Sequence, residues 1–330
     1  KINFTGANLQ MTLDSKKNLF SPYYEGIYSQ LINYKTLDSK ELILDEPPTF
    51  VIVADPMFET ALQPYIEWKI KKGFNVIEAY KGDPGVGTTT TSIKNYLLGL
   101  YNNPPTGYSP QSFVLLVGDV GTNTAPIIPA FNGTAGSHVT DLYYCEYTGD
   151  ILPECYYGRF SATNVTQLQP QIDKTLEYEQ YAFPDPTFLD EVVMCAGNDS
   201  GHITWSNGQI NYGTNNYFNA AHGILSHTYL QPEPGGGNYS QLIRQNVSDG
   251  VSYANYTAHG GVDGWSNPSF NNGHIAALQN AHKYPLMVGN ACLTNSFQSN
   301  CFGEELLRAA NKGAIGYIGG SNSTYWDEDY

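Results

Sequence analysis

The stretch TFVIVA, Thr49–Ala54, is a short apolar run of the kind that forms a buried strand. Two similar runs follow, NVIEAY at Asn75–Tyr80 and FVLLV at Phe113–Val117. Between them, Glu59–Lys72 has apolar residues at helical spacing and ends at a glycine, and Thr91–Tyr101 follows threonines that can cap a helix. Strands that alternate with helices predict a parallel sheet with right-handed crossovers.

The second half of the chain repeats this alternation. Its predicted strands are Glu191–Ala196, Ser252–Thr257, Pro285–Gly289 and Ala314–Ile318, and its predicted helices are Gln167–Tyr181, Ile210–Ala221 and Gly303–Asn311. The predicted fold class is therefore α/β, with two doubly wound, mostly parallel sheets that meet near residues 182–188. Residues 1–47 are polar and irregular and are predicted to be an N-terminal arm, a remnant of a pro-segment. Residues 48–186 and 187–330 are the two predicted subdomains.

Composition excludes several classes of protein. The net charge is −15 and no stripe of Lys or Arg occurs, which argues against a nucleic-acid partner. No apolar run approaches the ~18 residues of a membrane span. The acidity favours either solubility or calcium binding by carboxylates. Five cysteines without a CxxC spacing indicate neither a zinc site nor a disulfide framework, so one of them is a candidate nucleophile and the others are expected in the core.

Three predicted strands end in a reactive side chain beside a small residue, namely Asp199, His259 and Cys292. Because ligands bind at the carboxyl ends of parallel strands, these side chains are expected to converge. An acid that orients a histidine, which in turn deprotonates a thiol, is the arrangement of cysteine nucleophilic catalysis. The backbone N–H groups of Gly260 and Cys292 are candidate donors to an oxyanion. Spacing alone does not exclude that the cysteine is inert and that the histidine has an unrelated role.

Longer motifs carry a family resemblance. The stretches are YANYTAHG (Tyr253–Gly260), GNAC (Gly289–Cys292), CFGE (Cys301–Glu304) and YWDEDY (Tyr325–Tyr330), with further matches at Val86–Lys94, Val117–Asp119, Thr140–Tyr144 and Gly149–Glu154. They resemble the gingipains, secreted bacterial cysteine endopeptidases with a caspase-like fold, and in particular the lysine-specific type. The resemblance spans residues 49–330. It implies a nucleophile at Cys292, a general base at His259 and an orienting acid at Asp199.

The resemblance also implies the substrate preference. Asp329 matches the acid at the bottom of a lysine-type S1 pocket, and Trp326 is expected to form an apolar wall for the lysine stem. Arginine-type relatives carry their pocket acid shortly after the orienting acid, and residues 205–215 contain no acid. The expected activity is cleavage after basic residues, with lysine at P1. Arginine specificity, or a catalytically silent calcium-binding adhesin or scaffold that keeps the fold, is the alternative.

Structural calcium is the cofactor that the resemblance implies, with sodium as a further candidate ion. Asp119, Asp150 and Glu154 match one set of ligands, and Glu304 with the carbonyl of Phe297 matches another. Thr148 stands where the relatives have an acid, so one ligand of the first set is in doubt.

The expected partners are protein and peptide substrates. A C-terminal remainder of the catalytic domain, or an immunoglobulin-like module, is expected as well, because the second subdomain is predicted to be truncated. The resemblance places the protein outside the cell or on the bacterial cell surface.

Overall fold

The structure, a computed structural model, describes residues 47–121 and 127–326. In chain order the first half contains β1 (Thr49–Ala54), α1 (Glu59–Lys71), β2 (Asn75–Tyr80), α2 (Thr90–Asn102), β3 (Gln111–Val117), β4 (Phe131–Asn132), β5 (Val139–Thr140), β6 (Tyr156–Phe160) and α3 (Val165–Glu179). Single 3-10 turns lie at Pro56–Phe58, Leu142–Tyr144, Thr187–Asp190 and Ala220–His222.

The first sheet has the strand order β2-β1-β3-β6, and every pair is parallel. All six residues of β1 are buried, because helices cover both faces of the sheet at its centre. Leu62 and Ile66 of α1 pack on one face, and Ile93 and Leu97 of α2 pack on the other. The wholly apolar sequence of β1 is what a strand buried on both faces requires.

The second half contains β7 (Glu191–Ala196), α4 (Ile203–Asn216), β8 (Leu225–Tyr229), α5 (Tyr239–Asp249), β9 (Tyr253–Thr257), β10 (Gly260–Gly261), β11 (Gly264–Trp265), β12 (Phe270–Asn271), α6 (Asn272–Ile275), β13 (Leu286–Asn290), α7 (Phe302–Arg308) and β14 (Gly316–Gly319). Its main sheet is parallel, in the order β14-β13-β9-β7-β8. Strands β10, β11 and β12 form a small antiparallel sheet beyond the end of β9.

The prediction of two parallel sheets with flanking helices is confirmed, with local differences. Strands β6 and β8 and helix α5 were not predicted. Both strands lie at sheet edges and have exposed residues, so their sequences, YYGRF and LSHTY, lack an apolar run. Helix α4 starts and ends earlier than the predicted Ile210–Ala221, because only Ser206 and Ile210 of its residues are buried and the apolar spacing is sparse.

The two halves are joined through a buried lysine. The Lys174 ammonium of α3 donates to the carbonyls of Leu306, Ala309 and Lys312, at 3.0, 3.1 and 3.1 Å. These carbonyls lie at and beyond the end of α7, where a helix leaves acceptors without intrahelical partners. The position of α7 in the second half is thereby fixed against the first. The division at residues 48–186 and 187–330 stays a prediction, and the predicted arm lies outside the described residues apart from Pro47.

Candidate active site

The candidate catalytic residues follow three adjacent strands of the second sheet. From β7 the chain first adds β8 on one side and then β9 on the other, so the strand order reverses between β7 and β9. Ala196 lies beside Thr257, and Thr257 lies beside Asn290. These strands therefore end at one level, and Asp199, His259 and Cys292 come two or three residues later. Such a reversal point is where open α/β sheets bind ligands.

Asp199 and His259 form a hydrogen bond. The distance from His259 Nε2 to Asp199 Oδ2 is 3.0 Å. The Asp199 side chain is 14% exposed, whereas that of His259 is 59% exposed. The acid is thus enclosed and the imidazole is open to solvent, as an orienting group and a proton-transfer group need to be.

Asp199 also accepts from three other donors. Trp326 Nε1 and His202 Nδ1 each lie 2.9 Å from Oδ2, and the Gly201 N–H lies 2.9 Å from Oδ1. Burial by itself raises the pKa of this carboxyl, but the bonds from Trp326, Gly201 and His202 outweigh it and lower the pKa to about 2. Asp199 is therefore ionised at neutral pH and can only accept hydrogen bonds.

The charge of Asp199 sets the tautomer of His259. Because an ionised carboxylate has no proton to donate, Nε2 of His259 carries the proton in this hydrogen bond. The other ring nitrogen, Nδ1, then keeps its lone pair in the neutral imidazole. It is the nitrogen that can receive a proton from a thiol.

His202 and Trp326 form a stacked pair over Asp199. Their ring centroids lie 5.4 Å apart with an interplanar angle of 14°, and both rings donate to the same carboxylate oxygen. Trp326 was predicted as an apolar wall of a substrate pocket, and its contact with Asp199 was not anticipated. An indole N–H that faces a carboxylate leaves no pattern in the sequence. Only the nearness of His202 to Asp199 along the chain, three residues, could have indicated a contact.

The Cys292 thiol is half-buried and interacts with Thr324. Its S–H donates to the Thr324 carbonyl at 3.6 Å, and the Thr324 N–H donates to Sγ at 3.4 Å. Within residues 47–121 and 127–326, the thiol makes no hydrogen bond to His259. Catalytic hydrogen bonds are often long without substrate, so the dyad is open in this state. Thr324 is a further site residue that the sequence did not indicate.

Residues 320–326, here called the strap, run alongside the loop that carries Cys292. The Leu293 N–H donates to the Asn322 carbonyl at 3.0 Å, and the Asn295 N–H donates to the Gly320 carbonyl at 3.0 Å. The strap contacts the thiol through Thr324 and the acid through Trp326. One segment therefore positions both ends of the candidate triad.

The candidate oxyanion donors lie where the two catalytic loops meet. A Cβ atom added to Gly260 would lie 2.8 Å from the Cβ of Ala291 and 3.0 Å from the carbonyl oxygen of Cys292. Only glycine permits this close approach of the His259 and Cys292 loops. In the described part of the chain, the backbone N–H of Cys292 has no hydrogen-bond acceptor, which leaves it available to a substrate oxygen.

Replacing Trp326 with phenylalanine should raise the pKa of Asp199 by about one unit, since a charge-assisted hydrogen bond is lost while the aromatic stack stays. The measurement is a carboxyl carbon NMR titration of Asp199. Trp205→Phe is the matched control, because Trp205 packs edge-on against His202 with ring centroids 5.3 Å apart. Equal shifts in the two variants would mean that the indole N–H of Trp326 has no special effect on Asp199.

The residues predicted to bind calcium lie in two places in the described part of the chain. Asp119 lies with Glu304, and the Arg308 guanidinium contacts both, at 2.6 and 2.8 Å. Asp150 and Glu154 lie in a separate loop, where they accept from backbone N–H groups of Leu152 and Tyr147.

Asp119 and Glu304 both accept from the Arg308 guanidinium, which supplies a positive charge where the resemblance implies a metal ion. Phe297, the other predicted member of the second set, lines a cavity of about 400 Å³ together with Glu304, and its ring lies beneath the Arg159 guanidinium at 5.4 Å. The described residues contain no group of three or more His, Cys, Asp or Glu side chains that could hold a metal. Calcium at either predicted set of residues, and sodium, stay predictions. The predicted pocket acid, Asp329, lies outside the described residues.

Comparison with known proteins matches the chain to one family of relatives. The model of peptidase family C25 matches residues 43–329. Lys-gingipain W83 of Porphyromonas gingivalis is 38% identical over 337 aligned positions, which cover 100% of this chain and 19% of the relative. Gingipain R2 of Porphyromonas gingivalis is 25% identical and is matched over 92% of this chain and 40% of its own length. The chain thus spans about a fifth of the length of the Lys-gingipains.

Solved structures agree with this relationship. A structure titled "Structure of Protease" is 38% identical, with a TM-score of 0.78, over 86% of this chain and 61% of that one. The crystal structure of the Arg-specific cysteine proteinase gingipain R is 24% identical, with a TM-score of 0.69, over 86% and 65% of the two chains. None of the helices in the described residues is long and apolar enough to cross a membrane. By its sequence match and by its caspase-like fold, the chain belongs to peptidase family C25.

Proposed function

We propose that this chain is the catalytic part of a secreted or cell-surface cysteine endopeptidase that cleaves peptides after lysine. The observation that carries the proposal is the hydrogen bond between His259 and an ionised Asp199, one strand away from a half-buried Cys292. An acid, an imidazole and an accessible thiol at the reversal point of a parallel sheet can perform acyl transfer. A scaffold without activity would not need Asp199 to be ionised or His259 to be exposed.

The proposed reaction begins with proton transfer from the Cys292 thiol to Nδ1 of His259. The thiolate attacks the carbonyl carbon of the scissile peptide, and the N–H of Cys292, with that of Gly260, donates to the oxygen that becomes negative. The C–N bond then breaks, and the proton on Nδ1 passes to the leaving amine. Water, deprotonated by the same nitrogen, releases the acyl group as a carboxylic acid and restores the thiol.

Asp199 and the strap support these steps without contacting the substrate's reacting atoms. Asp199 keeps the proton on Nε2, so that Nδ1 is free, and it stabilises the imidazolium that forms in each half-reaction. The Thr324 N–H, 3.4 Å from Sγ, stabilises the thiolate. The Thr324 carbonyl accepts the S–H in the resting state, so the thiol has to leave this acceptor before it reaches His259.

Lysine at P1 is supported by the relatives and by the sequence. The Lys-gingipains are 37–38% identical over the whole chain, whereas gingipains R1 and R2 are 23–25% identical. Asp329 is proposed as the acid that binds the lysine ammonium, three residues after Trp326. Trp326 donates a hydrogen bond to Asp199, so it connects the candidate triad to the stretch of sequence that contains Asp329.

The test is turnover of two peptide substrates that differ only in lysine or arginine at P1. The lysyl substrate should have the higher kcat/KM by at least about 10²-fold, because a pocket built around one hydrogen-bonding pattern leaves polar groups unpaired with the other. Asp329→Asn should remove this preference. Asp327→Asn is the control, because it removes the same negative charge two residues earlier. Equal turnover of both substrates would overturn lysine specificity, and turnover of neither would overturn the peptidase proposal.

A further inference from the structure

Arg308, at the end of α7, is enclosed by oxygen atoms. Nη2 lies 2.6 Å from Asp119 Oδ2, 2.8 Å from Glu304 Oε1 and 2.9 Å from Ser161 Oγ. Nε donates to the Ser161 carbonyl at 3.0 Å, and Nη1 donates to Asn300 Oδ1 at 2.9 Å. Two carboxylates, a hydroxyl, a carbonyl and an amide oxygen thus face one cation.

The cluster is shielded from water. The side chains of Arg308, Asp119 and Glu304 are 9%, 9% and 4% exposed. Burial raises the pKa of Glu304, an effect that the charge of Arg308 opposes. Two enclosed carboxylates need a cation nearby, because an uncompensated buried charge is costly.

These oxygens come from separate parts of the fold. Asp119 follows β3 and Ser161 follows β6, both at the carboxyl edge of the first sheet. Asn300 and Glu304 belong to the segment that leads from the Cys292 loop into α7. The guanidinium therefore connects the first sheet to the segment that positions the candidate nucleophile.

A set of five oxygens with two carboxylates is chemically the donor set of a hard divalent cation. In this chain the positive charge comes from its own side chain, and the planar fork of arginine satisfies several acceptors at once. We propose that Arg308 is an internal cation that takes the place of a metal ion at this junction. The junction between the two halves is then independent of calcium at Asp119 and Glu304.

The first test uses Asp119→Asn. If Arg308 is the cation, the variant should lose the same number of degrees of melting temperature in EDTA as in millimolar calcium. If Asp119 instead binds calcium, the variant should have a lower melting temperature than the parent chain only when calcium is present. Each loss is measured against the parent chain in the same buffer, so the effect of calcium bound elsewhere in the chain cancels.

The second test uses Arg308→Ala, measured by thermal unfolding of the whole chain. Its melting temperature in EDTA should fall by on the order of 5–10 °C, because two carboxylates are left without a counter-charge. Millimolar calcium should restore at least half of that loss, since the variant exposes an empty oxygen cage of the right chemistry. A variant that folds only when calcium is present gives the same answer.

Two controls separate this effect from a general effect of calcium. Arg308→Ala combined with Asp119→Asn removes one carboxylate from the cage and should lose the recovery. Arg159→Ala truncates another buried arginine, whose five hydrogen-bond acceptors come from three backbone carbonyls and one carboxylate, Asp141, and this variant should recover much less.

The proposal is overturned if Asp119→Asn lowers the melting temperature only when calcium is present. It is also overturned if Arg308→Ala does not respond to calcium, or if Arg159→Ala responds equally. None of these measurements depends on peptidase activity, so the proposed function and this inference fail separately.

Discussion

Replacing Cys292 with alanine should reduce turnover of a lysyl peptide substrate by at least about 10⁴-fold, because the covalent route through the thiolate is lost. KM should change little, since the side chain is small and the acid proposed to bind the P1 lysine is a different residue, Asp329. The melting temperature should stay close to that of the parent chain. The measurement is steady-state hydrolysis of the lysyl substrate, with thermal unfolding as the check on folding.

Cys155→Ala is the matched control for this experiment. Cys155 is fully buried in the core of the first half, away from the strands that carry the candidate triad. The same chemical change there should lower stability slightly, through a small cavity, and leave turnover intact. Comparable losses in both variants would indicate a folding defect rather than a missing nucleophile.

Alkylation gives an independent measure of the same residue. Cys145, Cys155, Cys195 and Cys301 are buried, and burial raises the thiol pKa of Cys145, Cys195 and Cys301. Iodoacetamide reacts with exposed thiolate, so Cys292 should be labelled first and turnover should fall in step with labelling. Faster labelling of another cysteine would remove the main support for Cys292 as the nucleophile.

The positions of the candidate triad could be predicted because they depend on local patterns. Strands β7, β9 and β13 are short runs rich in apolar residues, and each ends beside glycine or alanine before Asp199, His259 or Cys292. Periodicity identifies such strands, and the carboxyl-edge rule then brings their ends together. Neither step requires knowledge of long-range contacts.

Edge strands were missed for the opposite reason. In β6, Arg159 interrupts an otherwise strand-like sequence, and a charged residue argues against a buried strand. The structure compensates this charge with Asp141, at 2.7 Å, and with backbone carbonyls. Such partners become visible only after the chain has folded.

The strap shows a second limit of sequence reasoning. Thr324 contacts Cys292 through its backbone N–H and carbonyl, which most residues possess, as well as through its hydroxyl at 3.8 Å, and Trp326 contacts Asp199 through a single indole N–H. Trp326 is predicted from its side-chain type to form an apolar wall of the pocket, because most of the surface of a tryptophan side chain is apolar. Which atom of a tryptophan is used depends on the direction of the chain, and a loop sequence does not fix that direction.

The candidate calcium residues show a third limit. Arg308 contacts Asp119 across 189 residues of sequence, and the family resemblance points to the carboxylates but not to the arginine between them. Pairing of a buried cation with a buried anion is a tertiary property. This pair lies between the two halves of the structure, so no local pattern of either half shows it.

Asp199→Asn should lower kcat/KM for a lysyl substrate by about 10³-fold, because asparagine offers an N–H where the carboxylate could only accept. The amide favours the tautomer of His259 with the proton on Nδ1, which leaves no base for the Cys292 thiol. The imidazolium that forms during the reaction also loses its counter-charge. The measurement is kcat/KM across pH, with Asp263→Asn as the control, since Asp263 is exposed and lies four residues after His259.

The pH profile separates this role from a merely structural one. The pKa of Asp199 is lowered to about 2, so its charge, and the stabilisation that the charge provides, are complete above the ordinary carboxyl pKa near 4. Both are lost only as the pH falls toward 2. The acid side of the parent profile above about pH 5 therefore arises from a group other than Asp199. If that limb reports a cation held beside Asp199, it should move to lower pH in Asp199→Asn, because the cation is no longer stabilised by a carboxylate. An unchanged limb, or turnover at the parent rate, would place the orienting acid elsewhere in the molecule.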